Sequence, residues 1–256
     1  MTTGNTQPDE VLGIDIGGSA VKTAPVDIRT GKIITGPESI ESKPEATPAD
    51  LTKIVCDAIK MFSWEGPIGI GYPGVVKNGV ALSAANVSRT WLNVNIKNAF
   101  QNLAPGPVTV INDADAAGLA EMHFGAGIHR HHKGGGTVLL LTLGTGIGSA
   151  LFIDGHLVPN TEFGHLFVES VEAENLAAAS VRVREELSWN EWASRLNRVL
   201  AEYEKLLSPD QIILGGGITE NYDKYGKLLK ARAQLSPAQM LNSAGIIGAA
   251  LATTGF

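Results

Sequence analysis

The stretch NDADAAGLAE sets Asn112, Asp113 and Asp115 directly behind the apolar run PVTVI. Such a run reads as a strand, and the small-residue segment behind it as a helix. Two carboxylates therefore stand at a strand–helix junction. One acid in a first helical turn is explained by capping or by the helix dipole, at about 1 kcal/mol. Asp115 falls inside that turn. Asp113 is left at the junction, beside an amide able to orient a hydroxyl, which suits a general base acting on an alcohol.

Three glycine turns each follow an apolar run: DIGGS (15–19), LGTGIG (143–148) and LGGGI (214–218). Glycine admits positive φ and close approach of a ligand, and successive exposed N–H groups form an anion site. Any one of these turns can simply close a hairpin. All three together favour phosphate binding. G-x-x-x-x-G-K-[ST] is absent, which excludes a P-loop enzyme. GTGIGS leads into a strand and not a helix, which disfavours a dinucleotide site. Around the first turn, Asp15 can hold Mg²⁺ through its water shell, and Ser19 and Lys22 can meet phosphoryl oxygens. The alternative for Lys22 is a solvated surface charge.

NTEFGH places Glu162 and His165 three residues apart, a pair of acceptors suited to vicinal hydroxyls; a polar turn is the plain alternative. Asn86, in AANVSRTW, is a further hydroxyl partner. Glu172 and Glu174 read as a solvated helix start. HRHHKGGG (129–136) reads as a mobile, exposed basic loop, or else as an electrostatic guide for a long anionic substrate.

The elements that must carry these residues follow from periodicity. Val11–Ile16, 23–28 and KIIT read as strands, and TVLLLTL, SALFI and HLV repeat the same strand–glycine turn–strand–turn–strand order half a chain later. The first helix opens on Thr47 as N-cap with Pro48 and Asp50 behind it, and another opens on a Ser188/Glu191 capping box. A small-residue helix closes the sequence. Strands alternating with helices imply an α/β protein with mixed sheets, and two related halves imply two lobes with a cleft.

The ordered set DIGGS…K, NDADAAGLAE, LTLGTGIGSALF, NTEFGH and LGGGI resembles the ROK family of sugar kinases over nearly the whole chain. GYPGVV, AANVSRTW and SWNEWASRLNRVL make it most similar to the polyphosphate-using branch. The resemblance implies an actin-like (ribonuclease H-like) two-lobed α/β fold, with 1–113 and 244–256 as small lobe and 114–243 as large lobe. It implies phosphoryl transfer from polyphosphate or ATP to the 6-hydroxyl of glucose, with mannose a further acceptor. Asp113 matches the family's base. Asn112, Glu162, His165 and, less closely, Glu174 match its sugar contacts. Gly17, Gly18 and Ser19, with Gly144, Thr145 and Gly146, match its phosphate segments, and Gly215, Gly216 and Gly217 its adenosine segment. Mg²⁺ is the implied cofactor and a homodimer the implied assembly. The family's cysteine-rich zinc motif has no counterpart in LFVESVEAENLAAAS, so no zinc is expected.

Composition bounds the rest. The chain has 256 residues, 44% of them hydrophobic, a net charge of −6 and the single cysteine Cys56. That balance argues against nucleic-acid binding, and no segment reads as a signal or membrane span, so a cytoplasmic location is expected. The rival reading is a non-catalytic sugar sensor on the same fold, which needs neither Asp113 nor the phosphate turns. An actin-like nucleotide hydrolase is the third, disfavoured by the sugar-type polar loops.

Overall fold

The structure is a computed structural model that describes residues 9–133 and 135–255. The chain divides into two compact units, one of residues 1–120 with 243–256 and one of residues 121–242.

The first unit contains β1 (Glu10–Ile16), β2 (Ala20–Asp27), β3 (Lys32–Ile33), β4 (Glu38–Glu41), α1 (Pro48–Met61), β5 (Ile68–Tyr72), β6 (Val76–Lys77), β7 (Val80–Ala81), α2 (Ile96–Gln101) and β8 (Val108–Asn112). The helix α3 (Asp113–Phe124) then leads the chain into the second unit. The larger sheet runs β3-β2-β1-β5-β8, with β4 also on β2. β1 and β2 form an antiparallel hairpin, whereas β1, β5 and β8 are parallel. The α1 capping box forms as expected: Thr47 Oγ1 accepts from Asp50 N–H, and the Asp50 carboxylate accepts from Thr47 N–H.

The second unit contains α4 (Ile128–Lys133), β9 (Thr137–Leu143), β10 (Ile147–Ile153), β11 (His156–Val158), β12 (Phe167–Val168), β13 (Val171–Glu172), α5 (Ala173–Ala177), α6 (Ala179–Arg184), α7 (Trp189–Leu207), β14 (Gln211–Gly215), α8 (Tyr222–Tyr225) and β15 (Gln234–Pro237). Its sheet runs β11-β10-β9-β14-β15. The antiparallel meander β9–β10–β11 followed by parallel β14 and β15 repeats the plan of the first sheet. The turn at Asp154–Gly155 has positive φ at both residues, as a two-residue hairpin requires. Ser188 and Glu191 cap α7 reciprocally.

The chain returns to the first unit at Ser243 and ends in α9 (Ala244–Leu251). This helix lies on β1 and β5 almost backbone to backbone. A side chain at Gly13, Gly69 or Gly248 would overlap a main-chain oxygen of Ile246, Ala249 or Ala116. Residues 129–133, expected in a mobile loop, instead complete α4, with His129 exposed and Arg130 half-buried. The last turn of α3 and the start of α4 are tied by Gly127 N–H, which donates to Glu121 O, and this ordering is local backbone chemistry that the basic composition conceals.

Candidate active site

In the first unit the three parallel strands deliver their C-terminal ends side by side. Asp15 on β1 stands opposite Gly71 on β5, Gly71 opposite Ile111, and Tyr72 opposite Asn112 on β8. Ligands of open α/β sheets gather at such strand ends. A methyl at Gly71 would lie 3.6 Å from Asp15 Oδ1 and 3.7 Å from Asp113 Cα, so the two acids flank this glycine. The Asp15 carboxylate also packs on Gly245, where any side chain would collide with it. Burial holds the Asp15 carboxyl above its ordinary range, and the Lys22 charge, from the facing residue of β2, works the other way. A hard, partly desolvated oxygen donor of this kind fits Mg²⁺ held through water.

Asn112 takes the N-cap contact of α3. Asn112 Oδ1 accepts from Asp115 N–H at 2.9 Å, and Asn112 Nδ2 donates to Gly74 O at 3.1 Å. Asn112 is therefore the cap of α3 and a tie to the loop after β5. Asp113 Oδ1 accepts from the Ala114 N–H at 2.8 Å, and the residue is only half-buried. Asp115 is 0% exposed. Of the two acids, Asp113 is the one a solvent-borne alcohol can reach.

Gly17 N–H donates to Ala20 O at 3.0 Å and closes the β1–β2 turn. Gly18 lies against Asn86, whose Cβ would be 2.8 Å from a methyl there. Asn86 itself is exposed, with φ 60°, in a loop fixed by Ala85 N–H to Pro73 O and Ser88 N–H to Ala46 O. Ser19 is exposed and Lys22 half-buried. The structure thus brings Asp15, Gly17, Gly18, Asn86 and Asp113 into one unit, on adjoining strand ends and loops.

In the second unit two glycine turns meet. The β9–β10 hairpin turns through Gly144, Thr145 and Gly146, closed by Gly144 N–H to Gly146 O at 3.0 Å. Ser180 holds it from α6: its N–H donates to Gly144 O at 3.0 Å and its hydroxyl to Thr145 O at 2.6 Å. Gly215 pairs with Thr142 across the parallel strands, and Gly216, with φ 87°, packs on the Leu143 backbone. Methyls at Gly144 and Gly217 would meet no atom within 4 Å. Those two positions leave open space beside the backbone.

Glu162 and His165 bracket a one-turn helix, Phe163–His165. Its position is over-determined. Phe163 N–H donates to Ser149 Oγ at 3.0 Å, Tyr203 Oη donates to Phe163 O at 2.7 Å, and Gly164 packs flush on Ile147 O. His165 Nδ1 is 3.6 Å from Glu174 Oε1 and 3.9 Å from Glu172 Oε2. Glu162 is open to solvent by area, yet nearby protein atoms desolvate its carboxyl enough to raise its pKa. His165 lowers it, and Glu174 adds a further rise. One ligand atom from each of His165, Glu172 and Glu174 lies within 4.8 Å of the others. An imidazole and two carboxylates so close can accept hydrogen bonds from adjacent sugar hydroxyls, and their donor types also suit a divalent ion.

The sequence alone left Gly71, Ser149, Ser180, Tyr203 and Gly245 without a role. Gly71 and Ser149 fall in stretches that carried the resemblance, GYPGVV and LTLGTGIGSALF, with no role of their own; Ser180, Tyr203 and Gly245 support the site through contacts distant in sequence.

Two α/β units, each with a mixed sheet of the same plan and glycine turns at its strand ends, define the class of fold. The chain belongs to the ROK family, whose model matches residues 11–181. It is similar to a polyphosphate glucokinase of Mycobacterium tuberculosis, with 44% identity over 98% of this chain and 94% of the relative. Among solved structures it is similar to an inorganic polyphosphate/ATP-glucomannokinase from Arthrobacter sp. strain KM, at TM-score 0.90 and 42% identity, covering 96% of this chain and 98% of that one. A ROK family glucokinase from Streptomyces griseus, solved with glucose and AMPPNP, matches at TM-score 0.81 and 25% identity, over 96% and 100% of the two chains. The actin-like α/β fold class expected from the sequence is therefore the fold of this protein.

Proposed function

We propose that the chain is a sugar kinase transferring a terminal phosphoryl group from polyphosphate or ATP to the 6-hydroxyl of glucose, with mannose as a second acceptor. The observation that carries this reading is Asp113: a half-open carboxylate at a strand end, which a kinase needs and a sugar sensor does not. The near-full-length similarity to a polyphosphate glucokinase supports the choice of reaction.

In this reading the sugar contacts are Asn86, Asn112, Glu162, His165 and Glu174. Asn112 retains a second amide hydrogen after its bond to Gly74 O. Asp113 accepts the 6-hydroxyl proton as that oxygen forms its bond to the terminal phosphorus, while the bond from phosphorus to the donor's bridging oxygen breaks. Gly17, Gly18, Ser19 and Lys22, with Gly144, Thr145 and Gly146, hold phosphoryl oxygens, and Gly215, Gly216 and Gly217 receive the nucleoside of ATP. Asp15 would hold Mg²⁺ through its water shell, and the ion would offset donor charge. Positioning and electrostatics supply most of the acceleration.

Arg130, on α4, is read as an aid to the longer polyanion: Arg130→Ala raises KM for polyphosphate more than for ATP. Lys133, named with it from the sequence, has its side chain outside the described residues. We also read the protein as a cytoplasmic homodimer without nucleic-acid or membrane partners; no described helix is long and apolar enough to cross a membrane. Sedimentation tests the assembly. The reaction is tested by a coupled assay of glucose and mannose, each with ATP and with polyphosphate. Product from neither sugar with either donor overturns the reading.

A further inference from the structure

Gly144 and Gly146 look alike in the sequence and differ in the fold. Gly144 faces open space, whereas the position of a side chain on Gly146 is already occupied by the Glu174 carboxylate. Glu174 Oε2 accepts from Ile147 N–H at 3.4 Å, at the first residue of β10, and Oε1 stands 3.6 Å from His165 Nδ1. One carboxylate therefore touches the foot of the hairpin 144–146 and a member of the sugar-facing set. The seat of Glu174 is firm, because α5 follows β13 directly and Ala173 N–H donates to Leu166 O at 2.8 Å.

We propose that Gly146 and Glu174 form a steric and hydrogen-bonded link by which the donor-side hairpin positions His165. Glu174 is a positioning residue in addition to its proposed sugar contact, and any side chain at residue 146 must move its carboxylate. The meaning of donor side and sugar side rests on the function proposed above. A methyl at residue 146 displaces the carboxylate, turns His165 and weakens sugar binding, although residue 146 lies in the phosphate turn. A methyl at residue 144 meets nothing and leaves sugar binding alone.

The test is calorimetric binding of glucose without donor, with NMR of the unliganded protein. Gly146→Ala is expected to bind glucose about tenfold more weakly, the loss of roughly one charge-assisted hydrogen bond. Gly144→Ala, the control for sugar binding alone, stays within about twofold of wild type. Gly146→Ala/Glu174→Ala binds no more weakly than Glu174→Ala, because the methyl then has nothing to displace. Wild-type affinity in Gly146→Ala, or a full further loss in the double variant, overturns the link. If wild type itself binds no glucose, the proposed function falls, and the His165 ring resonances decide the link by themselves: displaced in Gly146→Ala and unmoved in Gly144→Ala supports it, unmoved in both overturns it. Should Gly146→Ala not fold, Glu174→Asp withdraws the carboxylate by one methylene. A shifted Ile147 amide resonance in that variant, with His165 shifted too, supports the link; an unmoved pair overturns it.

Discussion

Replacing Asp113 by asparagine changes its chemistry and almost none of its shape. The hydrogen bond from Ala114 N–H to Oδ1, 2.8 Å long, is one that an asparagine oxygen can keep. What the fold loses is a negative charge at the N-terminus of α3, at about 0.3–1 kcal/mol. For a chain of this size that lowers the unfolding midpoint by at most about 4 °C. What the reaction loses is the acceptor of the 6-hydroxyl proton, about 10²–10⁴-fold in kcat, or roughly 2.7–5.4 kcal/mol of barrier. The two magnitudes differ enough to be read apart. Calorimetric glucose titration, thermal unfolding and kcat at saturating donor are measured on one preparation. The expected result is near-native binding and stability with turnover reduced at least about a hundredfold. A kcat within tenfold of wild type would remove Asp113 as base. Asp115→Asn is the matched control. Its carboxylate is 0% exposed, so its cost falls on stability; a hundredfold loss of turnover there with an unchanged midpoint would move the base to Asp115.

Glu121 is 1% exposed and accepts three main-chain N–H groups, from Ala126, Gln239 and Met240. Glu121→Gln turns an amide N–H toward one of them and loses about 1–3 kcal/mol, while Glu121→Ala strands all three and loses more; thermal unfolding followed by Trp189 and Trp192 emission checks the order. Glu162 has a folded pKa above its ordinary 4.5, so the stability it contributes is present below the unfolded pKa and is lost as pH rises through the folded one. Glu162→Gln is therefore more stable than wild type at pH 7, with the gain closing below about pH 4; equal midpoints at pH 7 would contradict that sign. Gly248→Ala drives a methyl into the Ala116 carbonyl, a backbone atom that cannot yield, and is expected to cost at least about 2 kcal/mol, visible as a drop of about 4 °C or more in the unfolding midpoint.

Much of the framework could be read from local chemistry. The capping boxes at Thr47 and Ser188 and the strands Thr137–Leu143 and His156–Val158 follow from side chains acting on their own neighbours in sequence. The strand β5, IGIGY, was not legible. Its alternate glycines remove the apolar rhythm that marks a strand. Gly69 is there because α9 packs on it, a fact of tertiary structure, whereas a methyl at Gly71 would meet Asp15 and Asp113 at ordinary contact distance. The strand β15, QLSP, ends in a residue that usually argues against strands, and its parallel pairing with β14 overrides that preference. At the site, residue types pointed correctly to a junction carrying two acids and an amide. They did not divide the work among them, since Asn112, Asp113 and Asp115 can each cap a helix. Only burial and hydrogen-bond partners assign the cap to Asn112 and leave Asp113 half-open.

The glycines carry the same lesson further. Read as letters, Gly17, Gly18, Gly144, Gly146, Gly216 and Gly217 all promise backbone exposed to phosphate. In space only Gly144 and Gly217, of the second unit, are bordered by nothing. Gly17 closes a turn on Ala20 O, Gly18 makes room for Asn86, Gly216 adopts positive φ against Leu143, and Gly146 makes room for Glu174. Four of the six are thus glycine because protein stands where a side chain would be. A glycine of that kind passes a substitution on to its protein neighbour, even where its own N–H faces a ligand. Substitutions at Gly18 and Gly146 should accordingly disturb the neighbours, Asn86 and Glu174, that the function assigns to sugar, whereas substitutions at Gly144 and Gly217 should disturb the phosphoryl donor. The same letter at the same kind of turn thereby separates into acceptor-side and donor-side phenotypes, which steady-state KM values for sugar, for polyphosphate (Gly144) and for ATP (Gly217) can resolve.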